Sequence, residues 1–275
     1  MMRFIFITGS PELAAFVAQR GVDRIMVDLE LLGKVERQGH LSTVISRHSF
    51  EDVAAVRAAA PNSELMVRIN PLHEGTAAEI DRAVALGSDI LMLPMFRSAA
   101  EVEQFSALVA GRNRICLLLE TADAVRAIEQ IVAVPEIDEI HIGLNDLHLD
   151  LGQHFMFQPV ADGMVDAVAS VIAGASIRFG IGGIARVGEG LVPAEMLLAE
   201  HARLHSTAAI LSRTFHRNCA TVAEIEKEMD FADEIARLRH AYAEHANAPP
   251  DSLEAIHGQL QQRVAEIVHA KSLVR

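Results

Sequence analysis

Cysteine is scarce: the 275 residues hold two, Cys116 inside an apolar run and Cys219 in a late polar stretch. Neither their number nor their spacing allows a disulfide framework or a zinc site, which points to a reducing, cytoplasmic setting. Basic residues are also short. Against 37 Asp and Glu stand 24 Lys and Arg, a formal net charge of −13, and no basic stripe offsets it, so nucleic acid is excluded as a partner. No apolar run is long enough to span a bilayer, and no signal-peptide pattern opens the chain, so a membrane is not expected as a partner. A Gly-x-Gly-x-x-Gly turn is missing after the first apolar run, which argues against a dinucleotide-binding open sheet.

What the chain has is apolar content, 51% of its residues, arranged in short β-rich runs. These fall at Arg3–Ile7, Arg24–Asp28, Leu65–Asn70, Ile90–Leu93, Arg114–Leu119, Glu139–Ile142, Arg178–Ile181 and Ala208–Leu211. Helical patterns separate them, among them Pro11–Arg20, Phe50–Ala60, Glu74–Leu86, Ala99–Ala110 and Thr121–Val132. Eight strands with intervening helices, each strand nearly continuous in apolar residues, predict a (β/α)₈ TIM barrel of the α/β class with additional C-terminal helices. The barrel should occupy residues 1–220 and a helical extension residues 221–275. That extension is expected as a helix near Val222–His245, a break at Pro249-Pro250, and a final helix near Leu253–Ser272. Leu253, Ile256, Leu260, Val264, Ile267 and Val268 form an apolar stripe on the last helix. A completed barrel leaves that stripe without a surface of its own. The expectation is a homo-oligomer, a trimer or hexamer, with the helix packed on a neighbour.

Two connections are long. The segment from Glu30 to Ser49 contains Lys34, Arg37, His40 and His48, and the segment from Leu147 to Gly163 contains His148 and His154. Ordered loops of this length often bind ligands. Most of the other histidines, namely His201, His205, His240, His245, His257 and His269, lie at helical spacing and are expected on the surface.

Polar groups gather where strands end. In a barrel the active site lies at the C-terminal ends of the strands. Those ends read Thr8-Gly9, Asp28 and Glu30, Arg68 and Asn70, Pro94, Glu120, Asp146, Gly182-Gly183 and Ser212-Arg213. Glu120 and Asp146 close consecutive strands, so a crossover helix brings both to one rim. Singly, each could be a helix cap. Together they suit a hard divalent cation, which takes a few carboxylates and keeps positions for water and substrate. Arg68 could grip a substrate carboxylate with its planar fork, or pair with a neighbouring acid. Asp28 and Glu30 could hold metal-bound waters, or form that salt bridge to Arg68. Gly143, Asn145, Gly182 and Gly183 are candidates for substrate contact.

The motifs VDLE, VRIN, MLPMFRSAAEVEQF, LLLETADAV and IHIGLNDLHLDLG together resemble the HpcH/HpaI aldolase/citrate lyase family over about Ile25 to Gly183. The resemblance implies Mg²⁺, Mn²⁺ or Co²⁺ held by Glu120 and Asp146. It implies a small-molecule 2-oxo acid bound by Arg68, with Asp28 and Glu30 supporting the site. The activity implied is a metal-dependent carbon–carbon lyase of the aldolase kind, working through a pyruvate or oxaloacetate enolate. The chain departs from the family in two places. Pyruvate-type aldolases follow Asp-x-Glu with a proton-transferring His and the acyl-CoA branch with Asp, whereas this chain has Leu31. The acyl-CoA branch carries Lys after the strand-four proline, and here the residue is Met95. His40, His48 or Lys34 could supply the missing base. An acyl-CoA lyase or thioester hydrolase of the citrate lyase β type, or a ligand-binding barrel without a base, are the other readings.

Overall fold

A computed structural model describes residues 2–33 and 48–273. Eight parallel strands close into a barrel in sequence order. They are β1 (Arg3–Ile7), β2 (Arg24–Asp28), β3 (Glu64–Arg68), β4 (Ile90–Leu93), β5 (Arg114–Leu119), β6 (Glu139–Ile142), β7 (Arg178–Ile184) and β8 (Ala208–Leu211). Six of the eight keep the bounds read from the sequence. β3 begins and ends earlier than expected, and β7 runs on through Gly182-Gly183 with a register shift against β8 between Gly180 and Gly183.

Alternation sorts each strand. Phe4, Val27, Val67, Leu91, Leu117 and Ile140 face outward into the main core beneath the helices. Ile5, Met26, Met66, Ile90, Met92, Cys116, Leu118 and Ala208 fill the barrel interior as a separate cluster. Three methionines in that small cluster suit an irregular space, because an unbranched thioether adapts its shape. Both cysteines are free thiols.

Helices cover the outside, and hydroxyl caps fix several of their starts. Ser10, Ser49, Ser98 and Thr121 each accept from a backbone N–H in the first turn of the helices Pro11–Ala18, Phe50–Ala59, Ala99–Val109 and Ala122–Arg126. Three helical expectations are corrected. The fifth pattern is two short helices, Ala122–Arg126 and Ile128–Ile131, joined at Ala127. The Val222–His245 pattern is also two, Val222–Glu228 and Phe231–Ala246. Met229 is extended there (φ −162°, ψ 157°), and the Asp230 carboxylate accepts from Asp233 N. A capping acid in a polar stretch reads by composition as one more solvent-facing position. The long connection after β6 is partly helical, entered by the helix Leu144–Asp150 and containing a second, Gln158–Ala161.

The last helix, Pro250–Ser272, lies on its own barrel, against the helices Ala194–Arg203 and Gln158–Ala161. Leu253, Leu260, Val264 and Ile267 are buried there. Arg263 Nε donates to Leu191 O at 3.0 Å and Gln261 Nε2 to Ala161 O at 2.9 Å. The apolar stripe is therefore covered within the chain and gives no argument for a partner subunit. Among the described residues no helix is long and apolar enough to cross a membrane.

Candidate metal and 2-oxo acid site

A cavity of about 550 Å³ opens at the C-terminal ends of the strands. Asp28, His48, Arg68, Glu120, Gly143, Asn145, Asp146, Gly182 and Gly183 all line it. Most of the rim residues read from the sequence thus meet in one place. Glu30 is buried behind Arg68 and does not face the cavity. His40, Lys34 and Arg37 lie outside the described residues.

Glu120 follows β5 directly and is buried. Its Oε1 accepts from Met95 N at 3.2 Å. Met95 stands just after β4 in a left-handed conformation (φ 56°), which costs a non-glycine residue on the order of 1 kcal/mol. The next residue, Thr121, donates to Phe96 O at 2.8 Å and caps the following helix, so Glu120 is anchored on both sides. Gly143 follows β6 and leaves room: a Cβ there would stand 3.0 Å from Glu120 Oε2 and 3.1 Å from Leu118 Cδ1. Three residues on, Asp146 occupies the first turn of the helix Leu144–Asp150.

Arg68 ends β3, paired in register with Asp28 on β2. Its Nε and Nη2 donate to the two Asp28 oxygens at 2.8 and 2.7 Å, and Nη1 lies 3.3 Å from Glu30 Oε2. Burial works against the charged guanidinium. Asp28, Glu30 and Glu120 outweigh it and hold Arg68 above its ordinary value. The pairing alternative is therefore realised: the fork is occupied by Asp28, and Arg68 presents its charge to the cavity in a fixed orientation.

Three lining groups received no role in the sequence reading. His141 is on β6, inward like Glu139, and its Nε2 donates to Gly182 O at 3.1 Å. Burial pushes its pKa down to about 4, so the ring is neutral. Gly180 opposite is required, because a Cβ would fall 2.5 Å from His141 Nδ1. The period-two alternation of Glu139, His141 and Gly143 was the available signal. Arg213, after β8, stands at the mouth, where partial desolvation and Arg68, opposed by Asp28, leave it below its ordinary value. His216 lines the wall and tilts against Phe6, with ring centroids 5.3 Å apart. His201, expected on the surface, is buried instead, with Nδ1 2.8 Å from Ser206 Oγ.

The donor set favours one kind of metal. Among the described residues no three His, Cys, Asp or Glu side chains converge as ligands, so these residues by themselves form no all-protein cage of the zinc type. Two carboxylates on one cavity fit Mg²⁺ or Mn²⁺, which bind through one or two carboxylates and complete their shell with water and substrate oxygens.

The family model for HpcH/HpaI aldolase/citrate lyase matches residues 3–207. The chain belongs to this family. Its barrel resembles the HpcH/HpaI aldolase of Desulfitobacterium hafniense DCB-2, with 18% identity, a TM-score of 0.60 and coverage of 83% of this chain and 94% of that one. An HpcH/HpaI aldolase/citrate lyase family protein of Burkholderia cenocepacia J2315 is similar at 16% identity and TM-score 0.61, covering 83% and 95%. The CitE protein of Mycobacterium tuberculosis, solved with magnesium and pyruvate, is similar at 17% identity and TM-score 0.60, covering 95% and 98%. No curated protein matches the chain.

Proposed function

We propose that the protein is a metal-dependent carbon–carbon lyase that cleaves or forms a 2-oxo acid aldol through a pyruvate or oxaloacetate enolate. The observation that carries this reading is the meeting of Glu120 and Asp146, from consecutive strand ends, in one cavity with Arg68. Family membership and the magnesium–pyruvate complex of the similar CitE protein support it. Glu120 and Asp146 would hold the cation. Once bound, it supplies a Lewis acid for the substrate oxygen on which negative charge develops.

The chain's own groups do the rest. Asp28 and Glu30 hold Arg68 so that its charge faces the same oxygen without reorganising during reaction. Arg213 at the mouth is a second cation for a dicarboxylate such as oxaloacetate. The apolar floor of Met26, Met92 and Leu118 excludes water from beneath the reacting carbon. Leu31 is exposed, and its N–H donates to Asn70 Oδ1 at 2.8 Å, so an apolar side chain stands where the family keeps its proton-transfer residue.

The test is hydrogen–deuterium exchange at C3 of pyruvate, with oxaloacetate turnover in parallel, with and without Mg²⁺, Mn²⁺ or Co²⁺. Exchange that requires a divalent ion is the expected result. No exchange with any metal, together with turnover of an acyl-CoA, would replace the aldolase reading with the acyl-CoA lyase or thioesterase one.

A further inference from the structure

β7 falls out of step with β8, and a side chain on β6 holds the break. Gly180 pairs with Ala208 and Gly183 with Ile210, so β7 takes one residue more than β8 over the same stretch. An extra residue of this kind is a β-bulge, which bends the strand and redirects its groups, often beside an active site. Gly182 sits in it at φ 46°, a left-handed conformation that glycine adopts without steric penalty. Its carbonyl meets His141 Nε2 at 3.1 Å. A carbonyl only accepts, so Nε2 carries the ring proton, and the neutral ring keeps Nδ1 unprotonated. The other nitrogen lies against the same strand: a Cβ on Gly180 would fall 2.5 Å from Nδ1 and 2.9 Å from Cε1. The edge Nδ1–Cε1–Nε2 therefore rests along β7 from Gly180 to Gly182.

We infer that His141 is a positioning residue for the 2-oxo acid: by holding the Gly182 carbonyl it fixes the β7 bulge, and with it the wall of Gly182 and Gly183 against which the substrate is bound. Both glycines line the cavity shared by Glu120, Asp146 and Arg68. The two acids are placed by other means. Glu120 Oε1 accepts from Met95 N, and Asp146 stands in the helix Leu144–Asp150. Loss of the His141 donor should thus loosen the substrate and spare the cation. The inference rests on the aldolase reading for the identity of the ligand, while the bond from His141 to Gly182 rests on geometry alone.

Two measurements test it. In wild-type protein labelled with ¹⁵N and ¹³C, His141 should show a proton on Nε2, none on Nδ1, and a coupling from Nε2 across the hydrogen bond to the Gly182 carbonyl carbon. An Nδ1–H signal overturns the inference. Calorimetry then follows Mn²⁺ binding, and the binding of oxalate, a planar analogue of the pyruvate enolate, to the Mn²⁺-loaded protein. His141→Phe keeps a ring without a donor, and His141→Gln restores a side-chain N–H near the Nε2 position. Oxalate binding should weaken about tenfold or more in His141→Phe and stay within about threefold of wild type in His141→Gln, with Mn²⁺ affinity within about threefold in both. Oxalate affinity unchanged in His141→Phe overturns the inference, as does an equal fall in His141→Gln. A parallel fall in Mn²⁺ affinity also overturns it, since His141 would then support the whole rim. The wild-type spectrum decides the bond whether or not a variant folds. Absence of Mn²⁺-dependent oxalate binding in wild type contradicts the proposed function instead.

Discussion

The two ends of the barrel carry charge in opposite ways. At the N-terminal ends of the strands, Arg24 is fully buried and donates to Glu139 at 2.7 and 3.0 Å and to Glu64. Arg114 lies 2.6 Å from Glu64, while Arg3 and Arg178 each lie 3.3 Å from Glu139. Both glutamates feel burial first, which raises them, and the arginines outweigh it and hold them below their ordinary range. The other end is arranged differently. Among the described residues Asp28, Glu30, Glu120 and Asp146 stand against Arg68 and Arg213. One end is a closed plug in which each glutamate is held by several arginines. The other opens onto a cavity lined by Glu120 and Asp146, two carboxylates of the kind a divalent cation takes. The same alternating strands build both, so the difference lies in what surrounds the charges, a closed network at one end and an open cavity at the other, and it separates stability from chemistry.

Breaking the plug should have the largest effect. Arg24→Met leaves the buried Glu139 and the half-buried Glu64 short of their central partner, and removing one member of a buried ion pair costs about 3–5 kcal/mol. Urea unfolding should show that loss, while Mn²⁺ affinity of the folded protein stays unchanged. A fall in metal affinity would mean that the two ends are not independent.

Much of this division was legible in the sequence, for a physical reason. Strand bounds and rim residues follow from apolar runs ended by polar groups, a local signal, and Glu120 and Asp146 came from it directly. Non-local facts were not legible. The Arg24 plug joins three strands far apart in the chain, and nothing near Arg24 distinguishes it from a strand-edge arginine. The apolar stripe of the last helix was visible, but not that its own barrel covers it. His201 was assigned to the surface by helical spacing, although its neighbour Ser206 gives it a buried partner. Arg68 and Asp28 were recognised as rim groups, yet which acid takes the fork depends on the β2–β3 register.

The interior between the two ends should set the pH dependence. Burial lowers His141 to about 4 and His201 to about 3. Their folded pKa values lie below the unfolded value of about 6.5, so between those limits the unfolded chain binds more protons than the folded one. Stability is therefore intact above about pH 6.5 and falls as pH drops toward 4, by up to about 1.4 kcal/mol per pH unit for each ring. Urea midpoints from pH 7 to 4.5 measure it. Below about 4.5 the lowered Glu64 and Glu139 add a second loss as they protonate. A flat profile between 6.5 and 5 would show that neither ring is held neutral.

A smaller change sharpens the rim. Arg68→Lys keeps one charge and loses the two-point fork on Asp28, so the charge is no longer fixed in direction. kcat/KM on the best 2-oxo acid should fall at least about tenfold, or about 1.4 kcal/mol. Unchanged kinetics would make Arg68 part of the frame alone.

The central claim is that Glu120 and Asp146 at the rim serve to hold a cation. Titration calorimetry with Mn²⁺ on wild type, Glu120→Gln and Asp146→Asn, alongside urea unfolding of each, tests it most directly. The account requires Mn²⁺ binding in wild type, its loss in both variants, and stability within about 1 kcal/mol of wild type, since rim groups contribute little to the core. Undiminished Mn²⁺ affinity in both variants would contradict it.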